Sequence, residues 1–190
     1  MSSNRSTSNY EQILLLATHS SDRAGRMSRS TGLEFPRLQQ LWNWVELRVE
    51  RHSYNIFAAW VVEEDLEALC HNLRDHLLWL SGRDHTAPHE FFILAEEDTR
   101  VLEEKGRTYG DSWARRGGVG AFMMLARKWD RIENIVGGVS GASMEQVLLR
   151  NPGDLLDDIA DLRRYLLLVE DRMLTQACEP TSAYLDQDPD

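Results

Sequence analysis

The sequence predicts an all-α fold, most simply a helical bundle. Apolar residues recur at spacings of three and four along most of the chain, as on one face of an α-helix, and no segment alternates convincingly with a period of two. Prolines and glycines stand beside the expected helix ends, where they start or stop helices. With 190 residues, 42% of them hydrophobic, the chain is long enough to bury a sizeable core.

The first half of the chain contains two clear helical patterns and one ambiguous segment. Pro36 opens a pattern that runs to about residue 51, and residues 63–80 form a second pattern that ends at Ser81 and Gly82. Between them, residues 55–62 are a short apolar run. Such a run fits either a strand or a buried helix, because periodicity cannot separate the two at this length.

The second half contains three predicted helices. The first opens at Pro88 or His89 and runs to about residue 106. A glycine-bearing loop over residues 107–118 separates it from a helix over 119–136. That helix is interrupted by Gly137, Gly138 and Gly141. The last predicted helix covers residues 153–174 and follows Asn151 and Pro152.

Composition sets the two ends of the chain apart from its helical middle. Residues 1–30 are rich in Ser, Thr, Arg and Gly, which predicts a flexible N-terminal arm, and residues 176–190 predict a loose acidic tail. Between these ends the pattern is helical.

Charge and cysteine content restrict the functional classes. The net charge of −10 argues against a dedicated nucleic-acid binder, because such proteins present a basic surface. No apolar run reaches the roughly 18 residues of a membrane span. Cys70 and Cys178 lie far apart and form no metal or redox pattern, so we expect free thiols in a reducing cytoplasm.

The helix over residues 119–136 carries two acids near its buried side. At about 100° per residue, Glu133 lies close to the centre of the apolar stripe, and Asp130 lies one turn earlier, further round the same side. A carboxylate so near the core must be neutralised, hydrogen-bonded or bound to a cation, because burial of a bare charge is too costly.

The last helix repeats this arrangement with four aspartates, of which Asp158 lies nearest the core. The four are Asp154, Asp157, Asp158 and Asp161. They repel one another, and a multivalent cation would hold them together. Antiparallel packing of the two helices would bring both acid pairs to one locus, whose oxygen ligands suit Mg²⁺ or Mn²⁺. The alternative is that each pair is a solvated rim, with Asp154 and Asp157 complementing the helix dipole.

These acids also carry a family resemblance. Asp130-x-x-Glu133, followed after 24 residues by Asp158-x-x-Asp161, resembles the E-x-x-E…E-x-x-D signature of MazG-like all-α nucleoside triphosphate pyrophosphohydrolases. Residues 157–162 look like the second motif of that family, and residues 105–134 look like its phage-encoded members. The likeness covers about residues 88–174. Asp130 and Asp158 depart from it, since glutamate is usual at both positions, and Arg127-Lys128 replaces a pair of glutamates.

The resemblance implies that residues 88–175 form a MazG-like catalytic bundle, which leaves residues 31–87 as a helical N-terminal extension. The implied reaction cleaves a (deoxy)nucleoside triphosphate to the monophosphate and pyrophosphate. The resemblance also implies Mg²⁺ or Mn²⁺ as cofactor, which would polarise the α-phosphoryl group and generate the hydroxide. The implied metal ligands, which are also the catalytic residues, are Asp130, Glu133, Asp158 and Asp161. Glu97 is a further ligand, the general base or part of a solvated face. Phage relatives further imply a role in deoxynucleotide pools, in the host cytoplasm, with dGTP or another purine dNTP as substrate.

The loop before the helix at residue 119 has the parts for holding a nucleotide. Cations that can meet phosphate oxygens are Lys105, Arg107, Arg115 and Arg116, together with Lys128 and Arg131 on the following helix. Gly117, Gly118 and Gly120 leave backbone N–H groups open to an anion. Tyr109 and Trp113 could stack on a base. The alternatives are a plain turn, a core tryptophan and surface ion pairs.

Two further interpretations compete with this one. The only gathering of histidines and aspartates comprises His71, Asp75, His76, Asp84, His85 and His89. It would suggest an HD-type phosphohydrolase, but no His-Asp dipeptide occurs, which favours ordinary surface histidines. The other is a non-catalytic helical oligomerisation or interaction module, in which the acids confer solubility and the tryptophans form an interface.

The expected partner is a nucleoside triphosphate, with no stable nucleic acid and no membrane. MazG-like enzymes generally work as dimers or tetramers, so the resemblance implies a homodimer or homotetramer, and two-fold symmetry is the commonest arrangement.

Overall fold

A computed structural model describes residues 7–27, 35–82, 87–110, 112–137, 147 and 152–178. All regular structure in these residues is helical, so the predicted all-α class is confirmed. The helices are α1 (Thr7–Ala24), α2 (Phe35–Glu50), α3 (Ile56–Val62), α4 (Leu66–Ser81), α5 (Pro88–Tyr109), a 3-10 helix (Ser112–Ala114), α6 (Gly117–Gly137) and α7 (Pro152–Cys178). None of the helices in these residues combines the length and hydropathy needed to cross a membrane.

A capping hydrogen bond shows which structure residues 55–62 adopt, the segment for which periodicity fitted both a strand and a helix. The Asn55 side chain accepts a hydrogen bond from the backbone N–H of Ala58 at 3.2 Å, which caps the start of α3. Residues 56–62 therefore form a helix rather than a strand. The predicted loop over 107–118 is also shorter than expected, because α5 continues to Tyr109 and ends at Gly110, whose φ of 55° suits glycine.

Most helices share one hydrophobic core. Buried side chains from α2, α3, α4, α6 and α7 form a single cluster. At its centre Trp129 of α6 stacks against Phe35 and Trp42 of α2, with ring centroids 5.9 and 5.3 Å apart. Phe122 also stacks against Trp42, with ring centroids 5.8 Å apart. The predicted boundary between residues 87 and 88 therefore does not separate two cores, since helices from both ranges build the same one.

The prediction of a flexible arm over residues 1–30 is wrong for Thr7–Ala24, which form helix α1. It packs against α5, α4 and α7 through Ile13, Leu16 and Ala17, which are buried with residues of α5 and α7 in a second, smaller cluster. Polar contacts add to this packing, because the Ser20 hydroxyl donates to the Asp75 carboxylate. The polar composition of the segment concealed its narrow apolar stripe. Residues 1–6, 28–34 and 138–146 and most of the predicted tail, residues 179–190, lie outside the described residues.

Gly118 lets α6 begin directly against α3. A Cβ atom at this position would lie 1.9 Å from the Asn55 side-chain oxygen and 2.8 Å from the backbone nitrogen of Phe57. Close packing of two helix starts therefore accounts for this glycine without an anion.

We expect Gly118→Ala to lower the free energy of unfolding by about 1–3 kcal/mol, because overpacking must displace Asn55 or the α3 backbone. Urea unfolding followed by circular dichroism measures this change. Gly137→Ala is the matched control, since a Cβ there meets nothing within 4 Å. Equal unfolding midpoints for the two variants would show that the close approach of Gly118 to Asn55 and Phe57 does not affect stability.

Candidate functional site

Asp158 is buried between α7 and α6 and faces two cations. Its side chain is 1% exposed. The Lys128 Nζ lies 3.0 Å from its Oδ1, and the Arg131 Nε lies 2.9 Å from its Oδ2. The first contact is a hydrogen bond, whereas the second is an ion pair without hydrogen-bond alignment. The inward position predicted for Asp158 is confirmed, and neighbouring side chains neutralise its charge.

Asp161, one turn further along α7, is surrounded by three cations. The Lys128 Nζ lies 2.8 Å from its Oδ2, while the Lys105 Nζ and the Arg164 Nη1 lie 3.3 and 3.4 Å from its Oδ1. Burial alone would raise the pKa of Asp161, but the hydrogen bond from Lys128 and the charge of Lys105 lower it below its ordinary value. Burial alone would lower the pKa of Lys128. The hydrogen bonds that Lys128 donates to Asp161 and Asp158 outweigh burial, so the pKa of Lys128 is raised above its ordinary value. The ion-paired form of the cluster is therefore favoured.

Asp130 and Glu133 lie on the opposite flank of α6. The Glu133 Oε1 accepts a hydrogen bond from the Gln39 side chain of α2 at 2.7 Å, and Asp130 is exposed. Together with burial, their charges raise the pKa of Glu46 on α2. At 100° per residue, Lys128 and Arg131 fall on one side of the apolar stripe of α6, and Asp130 and Glu133 fall on the other. The structure therefore does not bring the two acid pairs together.

The implied metal can be tested against this geometry, because all four acids are among the described residues. In the part of the chain that the structure describes, no three Asp, Glu, His or Cys side chains are placed so that they could hold a metal ion. Each oxygen of Asp158 and Asp161 already faces an ammonium or guanidinium group. As placed, the residues do not fit a shared Mg²⁺ or Mn²⁺ site, and the metal stays a prediction from the resemblance.

A cavity beside this cluster collects several of the predicted binding residues. It encloses about 370 Å³ between the end of α5, the 3-10 helix and α7. Its predicted members are Lys105, Tyr109, Trp113 and Asp161. Leu102 and Leu168 form an apolar wall that belongs to the smaller hydrophobic cluster. The volume lies within the range of about 300–1,000 Å³ that is typical of small-ligand sites.

Nine of the thirteen predicted catalytic and binding residues do not line this cavity. Five of them are the acids Asp130, Glu133 and Asp158 and the cations Lys128 and Arg131. The other four lie on α5 or just before α6. Arg107 is exposed and pairs with Glu103 one turn earlier on α5. Arg115 and Arg116 are exposed at the start of α6, and Glu97 is exposed on α5. Helical spacing explains the position of Glu97, because Phe91, Ala95, Asp98 and Leu102 form the buried stripe of that helix.

Sequence reasoning missed Arg164 and Tyr165, which also line the cavity. Arg164 is held from behind, since its Nε donates to the Asp98 Oδ1 at 2.9 Å. Asp98 is buried and also accepts two hydrogen bonds from the buried guanidinium of Arg163. The position of Asp98 in the apolar stripe of α5 is a signal that could have identified this anchor.

A second buried ionic network accounts for part of the histidine and aspartate gathering. Arg74 of α4 pairs with Glu170 of α7, and the His71 Nε2 lies 2.6 Å from the same carboxylate. Asp75 instead pairs with Ser20 and Arg23 of α1. His71 and Asp75 thus have separate partners, and both connect helices. His76 contacts the Asn72 carbonyl, His89 is exposed, and Asp84 and His85 lie outside the described residues.

The chain matches none of the protein-family models, curated proteins or solved structures with which it was compared. The likeness to MazG-like enzymes therefore rests on the sequence motifs alone.

Proposed function

We propose that the protein binds a nucleoside phosphate in the cavity between α5, the 3-10 helix and α7. The observation that carries this proposal is the combination of aromatic rings and cations around one cavity. Tyr109, Trp113 and Tyr165 offer surfaces on which a planar base can stack, as aromatic side chains do for single nucleotides. Lys105 and Arg164 offer charged donors for phosphate oxygens.

The activity that we propose for this site is hydrolysis of a (d)NTP to the (d)NMP and pyrophosphate in the cytoplasm, with a purine deoxynucleotide such as dGTP as the first substrate to test. This part of the proposal is supported by the resemblance of residues 88–174 and by Asp161, which lies in the second acidic motif and also lines the cavity. No step of the reaction is assigned to a metal, because the acids do not form a shared site.

The first test is a pyrophosphate-release assay with the eight common NTPs and dNTPs in the presence of Mn²⁺, combined with calorimetric titration of the same nucleotides. We expect release from at least one purine deoxynucleotide and saturable binding of it. Inactivity towards all eight, together with no binding by folded protein, would contradict the proposal.

Tyr109→Ala tests the cavity itself. Tyr109 is 66% exposed, so its truncation should leave the fold intact. We expect the dissociation constant of the bound nucleotide to rise about tenfold, because loss of one stacking ring costs about 1–3 kcal/mol. Phe92→Ala is the matched control, since Phe92 is exposed on the same helix and lies outside the cavity. An equal effect of both variants would remove Tyr109 from the site.

The second candidate function is a helical assembly module, and exposed apolar side chains favour it. On α2, α3 and α6 they include Trp44, Leu47, Val61, Val62, Val119 and Met123, and others lie on α1, α5 and α7. A two-fold homodimer or a homotetramer would cover some of this surface. Light scattering distinguishes the oligomer from a monomer, whose mass is 21.9 kDa. Oligomers without nucleotide binding would favour the module, and a monomer that binds nucleotide would exclude it.

A further inference from the structure

The surroundings of Asp158 and Asp161 on α7 contain more cationic than anionic side chains. Four cations contact these two carboxylates, and only one of the four, Arg164, is also paired with a third carboxylate, that of Asp98. The four are Lys105, Lys128, Arg131 and Arg164. The excess is local, because the whole chain has a net charge of −10. Such a concentration of cations beside a cavity attracts anions, and its effect decreases as salt concentration rises.

Two of the four cations remain accessible to a ligand. The side chains of Lys105 and Arg131 are 51% and 50% exposed. The Lys105 ammonium has three N–H donors, and its contact to Asp161 at 3.3 Å uses one of them. Arg131 presents five donors and contacts Asp158 through Nε. Lys128 and Arg164 are more buried and are held between carboxylates.

The same contacts disfavour a divalent cation at this place. A metal ion bound to Asp158 and Asp161 would have to displace the Lys128 ammonium from both carboxylates. It would also lie beside the guanidinium groups of Arg131 and Arg164, and like charges at such distances repel.

We propose that Lys105, Lys128, Arg131 and Arg164 form a phosphate subsite that binds the ligand's phosphates without a metal ion, with Asp158 and Asp161 as the counter-ions that hold the cations in place. Where the phosphates belong to a nucleotide, the subsite rests on the proposed function of the adjoining cavity. Asp158 and Asp161, which resemble metal ligands, thus have a different role: they hold a group of cations of which Lys105 and Arg164 also line the cavity.

Calorimetric titration of inorganic tripolyphosphate into the full chain, in EDTA and at low salt, tests this subsite. We expect saturable binding that weakens as NaCl is added. Lys105→Met and Arg131→Met should each weaken it about tenfold, the equivalent of about 1.4 kcal/mol for one charge-assisted contact. Arg100→Met is the matched control, since Arg100 is exposed on α5 and pairs only with Glu104 among the described ion pairs. Absence of binding in EDTA, or equal losses in all three variants, would overturn the proposal.

A melting experiment with Mn²⁺ and no nucleotide gives an independent readout. We expect the wild-type melting temperature to remain unchanged. A rise in melting temperature that Asp161→Asn abolishes would instead identify a metal site. The two proposals can fail separately. Tripolyphosphate binding without nucleotide binding would overturn only the proposed function, whereas nucleotide binding that requires Mn²⁺ would overturn only the metal-free subsite.

Discussion

Arg74→Met is expected to lower the free energy of unfolding by about 3–5 kcal/mol, because it leaves a buried carboxylate without its main counter-ion. The Arg74 side chain is buried, where it pairs with Glu170 and donates to the Ser20 hydroxyl at 3.3 Å and the Leu16 carbonyl at 3.4 Å. Methionine retains much of the volume but none of these bonds. Glu170 would keep only its contact with His71.

Urea unfolding followed by circular dichroism measures this loss, with Arg48→Met as the control. Arg48 pairs with carboxylates too, with two hydrogen bonds to Asp65 and a contact with Glu63 at 3.3 Å, but its bonds to Asp65 are at the surface. Exposed pairs contribute about 0–1 kcal/mol, so the control should change little. A loss below about 1 kcal/mol in Arg74→Met would show that the buried network has no special weight.

The same network predicts a loss of stability in acid. Burial would raise the pKa of Glu170, but the hydrogen bond from His71 and the charge of Arg74 lower it below its ordinary value of 4.5. Because the folded pKa is the lower one, these contacts stabilise the protein fully above pH 4.5 and lose their effect as the pH falls through the folded pKa. In Arg74→Met the loss should begin at a higher pH, since a counter-charge is missing.

Trp129→Ala is expected to cost about 3–5 kcal/mol of stability, the usual range for a large aromatic side chain removed from a core. Trp129 is 2% exposed and stacks against both Phe35 and Trp42, so its truncation removes two ring contacts and leaves a cavity in the core. Denaturant titration gives the value. Trp44→Ala is the control, because Trp44 is 37% exposed and its ring centroid lies 5.9 Å from the Arg37 guanidinium carbon. Similar losses in the two variants would contradict the central role of the aromatic stack.

Helical periodicity predicted the core of α6 correctly, since Phe122, Leu125, Trp129, Ile132 and Val136 are all buried. The pattern succeeds there because α6 has a wide apolar stripe. It failed for α1, whose buried face includes Ser20 and Ser21, so that polar composition concealed a docked helix. It left α3 undecided because a single capping contact from Asn55, rather than the apolar pattern, starts that helix.

The buried ion pairs could not be predicted because their partners are far apart in the sequence. Arg74 and Glu170 are separated by 96 positions, and Arg163 and Asp98 by 65. Periodicity can show that a charged residue faces the core, but it does not identify the helix that supplies the opposite charge.

The candidate site shows the same limit. The apolar pattern correctly placed Asp158 next to the core, but it could not show that Lys128 and Arg131, rather than Asp130 and Glu133, face α7. Tyr109 and Trp113 reach the cavity as the loop composition suggested, whereas Arg107, Arg115 and Arg116 lie outside it. Which side of a helix meets its neighbour depends on packing, and the sequence of one helix does not contain that information.

Hydrogen–deuterium exchange with and without saturating dGTP tests most directly whether the cavity is the ligand site. A bound ligand slows exchange of the amides that it covers or stabilises. We predict slower exchange in residues 102–110, in the 3-10 helix and in residues 161–168, with no change in α2 or around Asp130 and Glu133. Slower exchange confined to α2 and to the flank of α6 with Asp130 and Glu133, or no change at a saturating concentration, would contradict the account.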